Sequence, residues 1–272
     1  MSTNTNIEWC DHTFNIAWGC IKASKGCDNC YADTLSNLYG FDVWGPGKTR
    51  RTFGPAYWAK PLSWDREARK AGVRRRVFCS SMTDVFLNDP IINAEREKLW
   101  PLIAATPMLD WLILTKQAQR IGANVPAGRY DNVWLGVSVE DAAAAWRIST
   151  LQRINFAPVR FVSAEPLLGS LAGVDLTGMD WVIVGGESGP RARPMDIEWA
   201  RELRDECTRK RIAFFLKQLG GVGDKRGHEK AILDGRRWTE WPNTMSVCAS
   251  PDTSEDSPDV LAVAEAAECS SQ

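Results

Sequence analysis

Three cysteines stand close together near the start of this chain of 272 residues, in the pattern Cys20-x6-Cys27-x2-Cys30. Three thiolates on one short, glycine-containing loop are typical ligands of an Fe–S cluster that leaves one iron without a protein ligand. Such an iron can chelate S-adenosylmethionine and pass an electron to its sulfonium. A zinc site with Cys10 as the fourth thiolate is the main alternative, and a set of buried structural thiols is another.

The gap between the first two of these cysteines is longer than usual. The common radical-SAM loop is Cys-x3-Cys-x2-Cys, and this loop has three more residues in its first gap. The position of the loop after the first predicted strand favours an Fe–S cluster. Zinc knuckles usually pair two Cys-x2-Cys arms, whereas this sequence has one such arm.

Short apolar runs alternate with helical segments along the chain. The runs are rich in β-branched residues and spaced by roughly 20–35 residues, which is typical of parallel strands buried on both faces. The predicted strands are Thr13–Trp18, Val77–Ser80, Trp111–Thr115, Val133–Val139, Arg160–Ala164, Trp181–Gly185 and Ala213–Lys217. The predicted helices are Ile91–Ala105, Ala142–Arg153 and Ile197–Lys210. This α/β pattern favours a partial or complete (β/α) barrel, with a doubly wound open sheet as the alternative.

Polar or charged residues follow the predicted strands at their carboxyl ends. Active sites of parallel α/β folds lie at those ends, so we expect the side chains to form one site. A less specific interpretation is that each residue makes a salt bridge at the rim of the sheet. The residues concerned are Ser81, Asp84, Lys116, Ser138, Glu140, Glu165, Gly185, Gly186, Glu187 and Lys217.

Charge is distributed unevenly along the chain, although the net charge is −1. Residues 48–76 carry ten Lys and Arg against two Asp and Glu, with aromatic residues among them. Basic residues interleaved with aromatic ones are typical of surfaces that bind single strands or flipped bases. We therefore expect an insertion after the first βα unit that binds DNA, with a merely solvated basic surface as the alternative. The aromatic residues are Phe53, Tyr57, Trp58 and Trp64.

The end of the chain differs in composition from the rest. Residues 246–272 contain six Asp and Glu and no Lys or Arg. This composition predicts a disordered acidic tail after one barrel domain over residues 1–245. The sequence has no apolar run long enough to span a membrane and no apolar signal segment, so we expect a soluble, cytoplasmic protein with reduced thiols.

Several sequence blocks are specific in combination. They are Glu8-Trp9, Phe14-Asn15, Gly19-Cys20, Gly26–Ala32, Ser81–Phe86, Leu114–Lys116, Trp134–Glu140, Ser163–Gly169, Trp181–Gly189 and Phe214–Gln218. Together they resemble a phage-type family of radical-SAM-like proteins, most of whose members are described only as phage proteins of unknown function. The resemblance covers roughly residues 5–242. The sequence also looks distantly similar to the spore-photoproduct lyase branch, whose substrate is DNA.

The resemblance implies a radical-SAM-type barrel and a [4Fe–4S] cluster on Cys20, Cys27 and Cys30. The family usually has Thr where this chain has Cys10 and Trp where it has Phe14. This difference argues against Cys10 as a ligand and therefore against zinc.

On this interpretation the strand-end residues divide into two groups. Those expected to bind S-adenosylmethionine are Ser81 and Asp84 at its amino group, Ser138 and Glu140 at its ribose or carboxylate, and Gly185, Gly186 and Glu187 along its adenine or the substrate. Those expected to do acid–base or substrate-binding work are Glu165, Lys116 and Lys217.

The expected function combines this chemistry with the basic segment and the distribution of the family. Phages modify their DNA bases to escape host restriction nucleases. A radical enzyme of the isomerase or lyase type, supplied by an external electron donor in the host cytoplasm, would rearrange the side chain of a hypermodified thymidine in that DNA. One alternative is a radical enzyme on a free nucleotide or small molecule. The other is a non-catalytic, zinc-containing protein that binds nucleic acid.

Overall fold

Seven parallel β-strands form the main sheet, in a computed structural model that describes residues 5, 7–221 and 230–243. The strands hydrogen-bond in the order in which they occur in the chain. Each neighbouring pair is parallel. The strands are β1 His12–Phe14, β2 Arg75–Cys79, β3 Leu109–Thr115, β4 Val133–Ser138, β5 Val159–Ala164, β6 Trp181–Gly185 and β7 Ala213–Gln218.

The strand order distinguishes between the two folds expected from the sequence. A doubly wound sheet reverses its strand order at a switch point, whereas a singly wound sheet adds every strand on the same side. The sequential order is that of a singly wound sheet, so the doubly wound alternative is wrong. Among the described residues no ladder joins β1 to β7. The sheet is a partial (β/α) barrel, which confirms that prediction.

The two faces of the sheet carry different side chains. One face is mostly aliphatic and packs against the helices, and the other forms an inner aromatic layer. The ring of Trp9, which precedes β1, lies 4.5 Å from Phe78 on β2 and 6.4 Å from Trp181 on β6. One side chain can meet both strands because the sheet curls around it, and the curled inner face bounds a lumen. The aromatic members of the layer are Trp9, Phe78, Trp134, Phe161, Trp181 and Phe215.

Helices cover the outer face of the sheet in the described part of the chain. Helices α1, α2 and α3 lie between β1 and β2 in the chain, α4 between β2 and β3, α5 between β4 and β5, and α6 between β6 and β7. Helix α1 packs in a separate cluster with Trp18, Val43 and Met82. The helices are α1 Tyr31–Leu38, α2 Pro55–Trp58, α3 Lys60–Ala71, α4 Pro90–Ala104, α5 Trp146–Gln152 and α6 Ile197–Lys210.

The helix boundaries agree with the sequence where a capping residue marks them. Asp89 precedes α4 and its side chain accepts from two backbone N–H groups of the first turn, and the Asp196 side chain accepts from the backbone N–H of Glu198 at the start of α6. The helices predicted over Ile91–Ala105 and Ile197–Lys210 are thereby confirmed to within one residue. The helix predicted over Ala142–Arg153 consists of a 3-10 turn followed by α5.

The first strand is shorter than the sequence pattern indicates. It ends at Phe14, whereas the prediction extended to Trp18. The backbone N–H of Asn15 donates to the Tyr57 hydroxyl at 2.9 Å, and the Asn15 side-chain oxygen accepts from the backbone N–H of Met82 at 2.7 Å. These bonds lead the chain out of the sheet, so the cysteines do not follow the strand directly.

The basic segment, residues 48–76, does not present its aromatic side chains for stacking on bases. Trp64 is 4% exposed, Tyr57 and Trp58 pack on β1, and Phe53 stacks on Tyr57. Several arginines of the segment are paired with carboxylates. The aromatic part of the nucleic-acid prediction is therefore wrong, because these rings pack on the core, on β1 and on one another.

The predicted acidic tail, residues 246–272, and the predicted domain end at residue 245 lie outside the described residues. A hairpin of β8 (Ile232–Leu233) and β9 (Arg236–Arg237) lies near the end of the described part. In that part no helix is long and apolar enough to cross a membrane.

Replacing Gly136 by Ala tests the packing of the lumen. A Cβ atom at Gly136 on β4 would lie 2.3 Å from the Phe161 ring on β5, and overpacking of a core typically costs about 1–3 kcal/mol. We expect Gly136→Ala to lower the urea midpoint of unfolding, followed by circular dichroism. Gly122→Ala is the control, because its Cβ would lie at an ordinary 3.7 Å from Ile154. An equal loss in both variants would contradict the packing argument.

Candidate active site

The cysteine loop, residues 19–30, begins in tight contact with the end of β2. Gly19 has a φ of +115°, and a Cβ there would lie 2.3 Å from the Val43 carbonyl oxygen, so the position requires glycine. The Gly19 N–H donates to the Met82 carbonyl at 3.0 Å, and the Gly19 carbonyl accepts from the Thr83 hydroxyl at 2.6 Å. These bonds hold the first cysteine against the segment that follows β2.

Backbone N–H groups point at two of the three sulfur atoms. Cys27 Sγ accepts from the N–H of Ala23 at 3.4 Å. Burial raises the pKa of Cys30, and hydrogen bonds from the N–H groups of Asp33 and Ala32, in the first turn of α1, partly offset that effect. Both sulfur atoms therefore have backbone hydrogen-bond donors beside them.

The three thiols lie close enough for Cys27 and Cys30 to affect the pKa of Cys20. Burial raises the pKa of Cys20 to about 12, with further contributions from Asp84 and from Cys27 and Cys30. Cys20 is therefore a neutral thiol at neutral pH.

The donors that the loop offers are thiols, which are the typical ligands of Fe–S clusters. All three are free thiols. Among the residues that the structure describes, no group of three His, Cys, Asp or Glu side chains is arranged to hold a metal ion. The cluster on Cys20, Cys27 and Cys30 therefore stays a prediction. Cys10, the fourth ligand in the zinc alternative, is buried with the inner aromatic layer, and its thiol donates to the Ile7 carbonyl.

The carboxylate of Glu140, after β4, is buried against the middle of the cysteine loop. It accepts from the Ser24 hydroxyl at 2.7 Å and from Arg147 at 2.9 Å, and Lys116 Nζ lies 3.2 Å away. A Cβ on Gly26 would lie 2.5 Å from Glu140 Cγ. Burial alone would raise the pKa of Glu140, but these three polar partners lower it below its ordinary value. The charged carboxylate thus binds the loop.

The carboxylate of Glu187, after β6, binds a later part of the same loop. Arg193 donates to both oxygens, at 2.9 and 2.6 Å, and the Asn29 side-chain amide donates at 2.9 Å. Burial opposes the charge, yet these bonds lower the pKa of Glu187 to about 2. Asn29 lies between Cys27 and Cys30, so this contact fixes the second half of the cysteine pattern.

These contacts differ from the cofactor-binding roles expected for Glu140 and Glu187. Their oxygens bind the loop and nearby cations, and Lys116, expected to do acid–base work, is one of those cations. Sequence reasoning missed the arginines and the polar loop residues that complete both contacts. A signal was present, because Arg147 follows Glu140 by seven positions and Arg193 follows Glu187 by six.

Asp84 is buried beside the loop, and its oxygens bind protein groups. They accept from the Thr115 hydroxyl at 2.6 Å and from the backbone N–H groups of Lys116 and Phe86 at 2.8 and 2.9 Å. Burial raises the pKa of this carboxyl. Ser81 Oγ lies 3.2 Å from a neighbouring asparagine side chain. The contact of both residues with the amino group of a cofactor stays a prediction.

Gly185 and Gly186 allow close contacts within the protein. A Cβ at Gly185 would lie 2.9 Å from Glu165 Oε2, and one at Gly186 would lie 2.1 Å from the Leu219 carbonyl oxygen. A side chain at either position would clash with these atoms, and the contact of both glycines with adenine or substrate stays a prediction. Ser138 is also buried, at 3% exposed, and its contact with a cofactor stays a prediction.

One ion pair among the expected residues is open to the mouth of the lumen. Lys217 Nζ lies 2.7 Å from Glu165 Oε2, and the Ser163 hydroxyl donates to Glu165 Oε1 at 3.2 Å. The Lys217 and Glu165 side chains are 29% and 14% exposed. Lys217 and Ser163 follow Phe215 and Phe161 by two positions, so they share the inner face of the sheet. The pair is placed to contact a ligand above the inner aromatic layer.

Fold and site together define a partial (β/α) barrel with a cysteine loop fixed at its carboxyl edge. The sequence profile of a family described as "Protein of unknown function (DUF5131)" matches residues 4–242, and the chain belongs to this family. No curated protein matches the sequence.

Two solved structures of spore photoproduct lyase are similar to this chain. One is a double mutant with bound AdoMet and dinucleoside spore photoproduct; it is 11% identical with a TM-score of 0.46, over 78% of this chain and 57% of that chain. The other is a single mutant, 10% identical with a TM-score of 0.47, over 74% of each chain. This chain thus spans little more than half the length of the first of them.

Acidification tests the Glu187 contact. The pKa of about 2 lies below the ordinary value of 4.5, so the bonds of Glu187 add stability above pH 4.5 that is lost as the pH falls toward 2. We expect Glu187→Gln to lower the free energy of unfolding by about 1.5–3 kcal/mol at neutral pH. The difference from the wild type should shrink between pH 4.5 and pH 2, as urea titrations at each pH will measure. A difference that does not change with pH would show that the charge of Glu187 is not its cause.

Proposed function

We propose that this protein is a radical S-adenosylmethionine enzyme that acts on a nucleobase in DNA. The observation that carries the proposal is the position of Cys20, Cys27 and Cys30. Three thiols lie on one loop that is bound to the carboxyl edge of a curled parallel sheet, beside the mouth of its lumen. Active sites of parallel barrels lie at this edge, and three thiolates suit a cluster with one open iron.

The three cysteines would hold a [4Fe–4S] cluster, with S-adenosylmethionine bound beside it. When bound and reduced by an external electron donor, the cluster would supply the one-electron chemistry that cleaves S-adenosylmethionine to methionine and a 5′-deoxyadenosyl radical, for abstraction of a substrate hydrogen. The role of the chain is to orient the thiols and the substrate. Glu140 and Glu187 orient the thiols through their contacts with the loop, and side chains on the inner face of the sheet orient the substrate.

The mouth of the lumen offers groups that suit a nucleobase. Lys217 can donate a hydrogen bond to a carbonyl oxygen while Glu165 accepts one from an N–H group. A pyrimidine such as thymine presents both groups on one edge, and enzymes read flipped bases by that edge and by stacking.

The finer proposal is an isomerase-type rearrangement of the side chain of a hypermodified thymidine in phage DNA. The basic segment, with a balance of ten cationic against two anionic residues, favours a polyanionic substrate. Tyr31 directly follows the last loop cysteine, and its ring is 58% exposed. That ring is available to a base next to the one that reacts.

Cys27→Ala tests the cluster assignment. Anaerobically reconstituted wild-type protein should absorb near roughly 400 nm and, with reductant, release 5′-deoxyadenosine from S-adenosylmethionine. We expect Cys27→Ala to lose the absorbance and to form 5′-deoxyadenosine at least about 100-fold more slowly, because it lacks a ligand. Cys10→Thr, which removes a thiol outside the loop, should retain both. Iron and 5′-deoxyadenosine at wild-type levels in Cys27→Ala would make the ligand assignment wrong.

Lys217→Met and Glu165→Gln test the substrate contact. Each leaves one buried polar partner of the substrate unsatisfied, so we expect substrate turnover to fall by about 10–100-fold while cluster content stays at the wild-type level. Mass analysis of modified DNA and of the matching free nucleotide measures turnover. Lys98→Met, which breaks an ion pair on α4, is the control. Turnover of the nucleotide without the DNA would favour the alternative substrate, and unchanged turnover would remove the pair from the site.

A further inference from the structure

The cysteine loop is longer than three cluster ligands require. The common pattern has three residues between the first two cysteines, and this chain has six, residues 21–26. We propose that the added length fastens the loop to Glu140, while Asn29 in the shorter gap fastens it to Glu187, so that the loop is held across the mouth of the lumen. The two glutamates then act as positioning residues for the thiols, an inference that rests on the proposed function.

The loop crosses the carboxyl edge of the sheet from one side toward the other. It begins after β1, yet it contacts residues that follow β4 and β6. With strands about 4.8 Å apart, a flat sheet would place these ends about 14 and 24 Å from β1. The curl around Trp9 shortens both spans. The 12 residues of the loop therefore reach both strand ends and bridge the mouth.

The contact with Glu140 uses the added residues. Ser24 and Gly26 lie in the lengthened gap, and both meet the Glu140 carboxylate. A Cβ at Gly26 would lie 2.6 Å from Glu140 Oε1, so backbone and carboxylate fit without space for a side chain. Glu140 is itself held by Arg147, whose side chain is 4% exposed. The loop thus binds a carboxylate that is itself held in place just after β4.

The contact with Glu187 holds the shorter gap. The Asn29 side-chain amide donates to Glu187 and to the Arg191 carbonyl, both at 2.9 Å. Glu187 accepts in addition from the backbone N–H of Arg193 at 2.9 Å and from its guanidinium. Arg193 also lies 3.5 Å from Asp28. Several bonds, rather than one, fix this part of the loop to the end of β6.

The two contacts flank Cys27. Ser24 and Gly26 precede this cysteine and Asn29 follows it. The other two thiols have separate supports, since Cys20 follows the glycine bound to the end of β2 and Cys30 receives bonds from the first turn of α1. Loss of either glutamate contact is therefore expected to release Cys27 first.

The experiment compares Glu140→Gln and Glu187→Gln with Glu95→Gln, a buried, ion-paired glutamate on α4. Amide hydrogen exchange of residues 21–30 is measured in the protein before cluster loading. Iron and sulfide per chain and the EPR spectrum of the reduced cluster are measured after loading. Loss of a charge-assisted bond should speed exchange in the loop by about 10–100-fold. Iron content should fall, the EPR line shape should change, and Glu95→Gln should match the wild type in all three.

Two further variants keep the test independent of folding defects in the glutamate variants. Ser24→Ala and Asn29→Ala remove the loop side of each contact and leave both carboxylates in place. Ser24→Ala alone should speed amide exchange in the loop. Added to Glu140→Gln it should have little further effect, since both changes remove the same contact. Additive effects would overturn the proposed coupling. A deletion of residues 24–26 restores the common spacing, and full cluster loading in that variant would overturn the role of the added length.

The outcomes separate this inference from the proposed function. A wild type that binds no cluster, with loop exchange that still depends on both glutamates, would sink the radical function and leave the loop contacts standing. A wild type that binds the cluster, with glutamate variants that exchange and load identically, would overturn the positioning role alone.

Discussion

The packing of Trp9 inside the sheet determines how the rest of the molecule can be arranged. Its ring meets Phe78 near one edge of the sheet and Trp181 near the other, which is possible because the sheet curls. The alternation of mostly aliphatic and aromatic faces makes that curl stable, since each face buries its own layer. The curl in turn brings the ends of β1, β4 and β6 within reach of a single loop.

The carboxyl edge of the sheet then concentrates charge where little water reaches it. A buried carboxylate is costly unless cations and hydrogen-bond donors surround it. Glu140 has Lys116, Arg147 and Ser24, and Glu187 has an arginine fork and an asparagine amide. Charged groups in such networks specify one arrangement, because each displaced partner leaves another unsatisfied. The network therefore defines where the cysteine loop lies as well as holding it.

The sequence indicates the architecture well because parallel strands buried on both faces leave continuous apolar runs. It also indicates which residues gather at the carboxyl edge, since every strand end contributes to that edge. It does not indicate their partners. Glu140, Glu165 and Glu187 occupy the same kind of position in the sequence, shortly after a predicted strand. In the structure, Glu140 and Glu187 bind the cysteine loop, whereas Glu165 pairs with Lys217. The loop contacts join residues that are more than a hundred positions apart in the chain. The periodicity of apolar residues carries no information about such contacts.

The aromatic residues of the basic segment show the same limit. Aromatic residues interleaved with Lys and Arg predict a stacking surface for bases. In the structure, however, Trp64 belongs to the core, and Tyr57 and Trp58 pack against Phe14 of β1. The short first strand has a related cause, because Asn15 finds hydrogen-bond partners outside the sheet. In each case a tertiary contact outweighs a local preference.

The inner aromatic layer limits the direction from which a ligand could enter the lumen. Its rings fill the space below the Glu165–Lys217 pair, so a ligand of that pair would enter from the carboxyl edge, which the cysteine loop also spans. On the proposed function, S-adenosylmethionine and the substrate would share this entrance. The one bound deeper would then have to enter first and leave last.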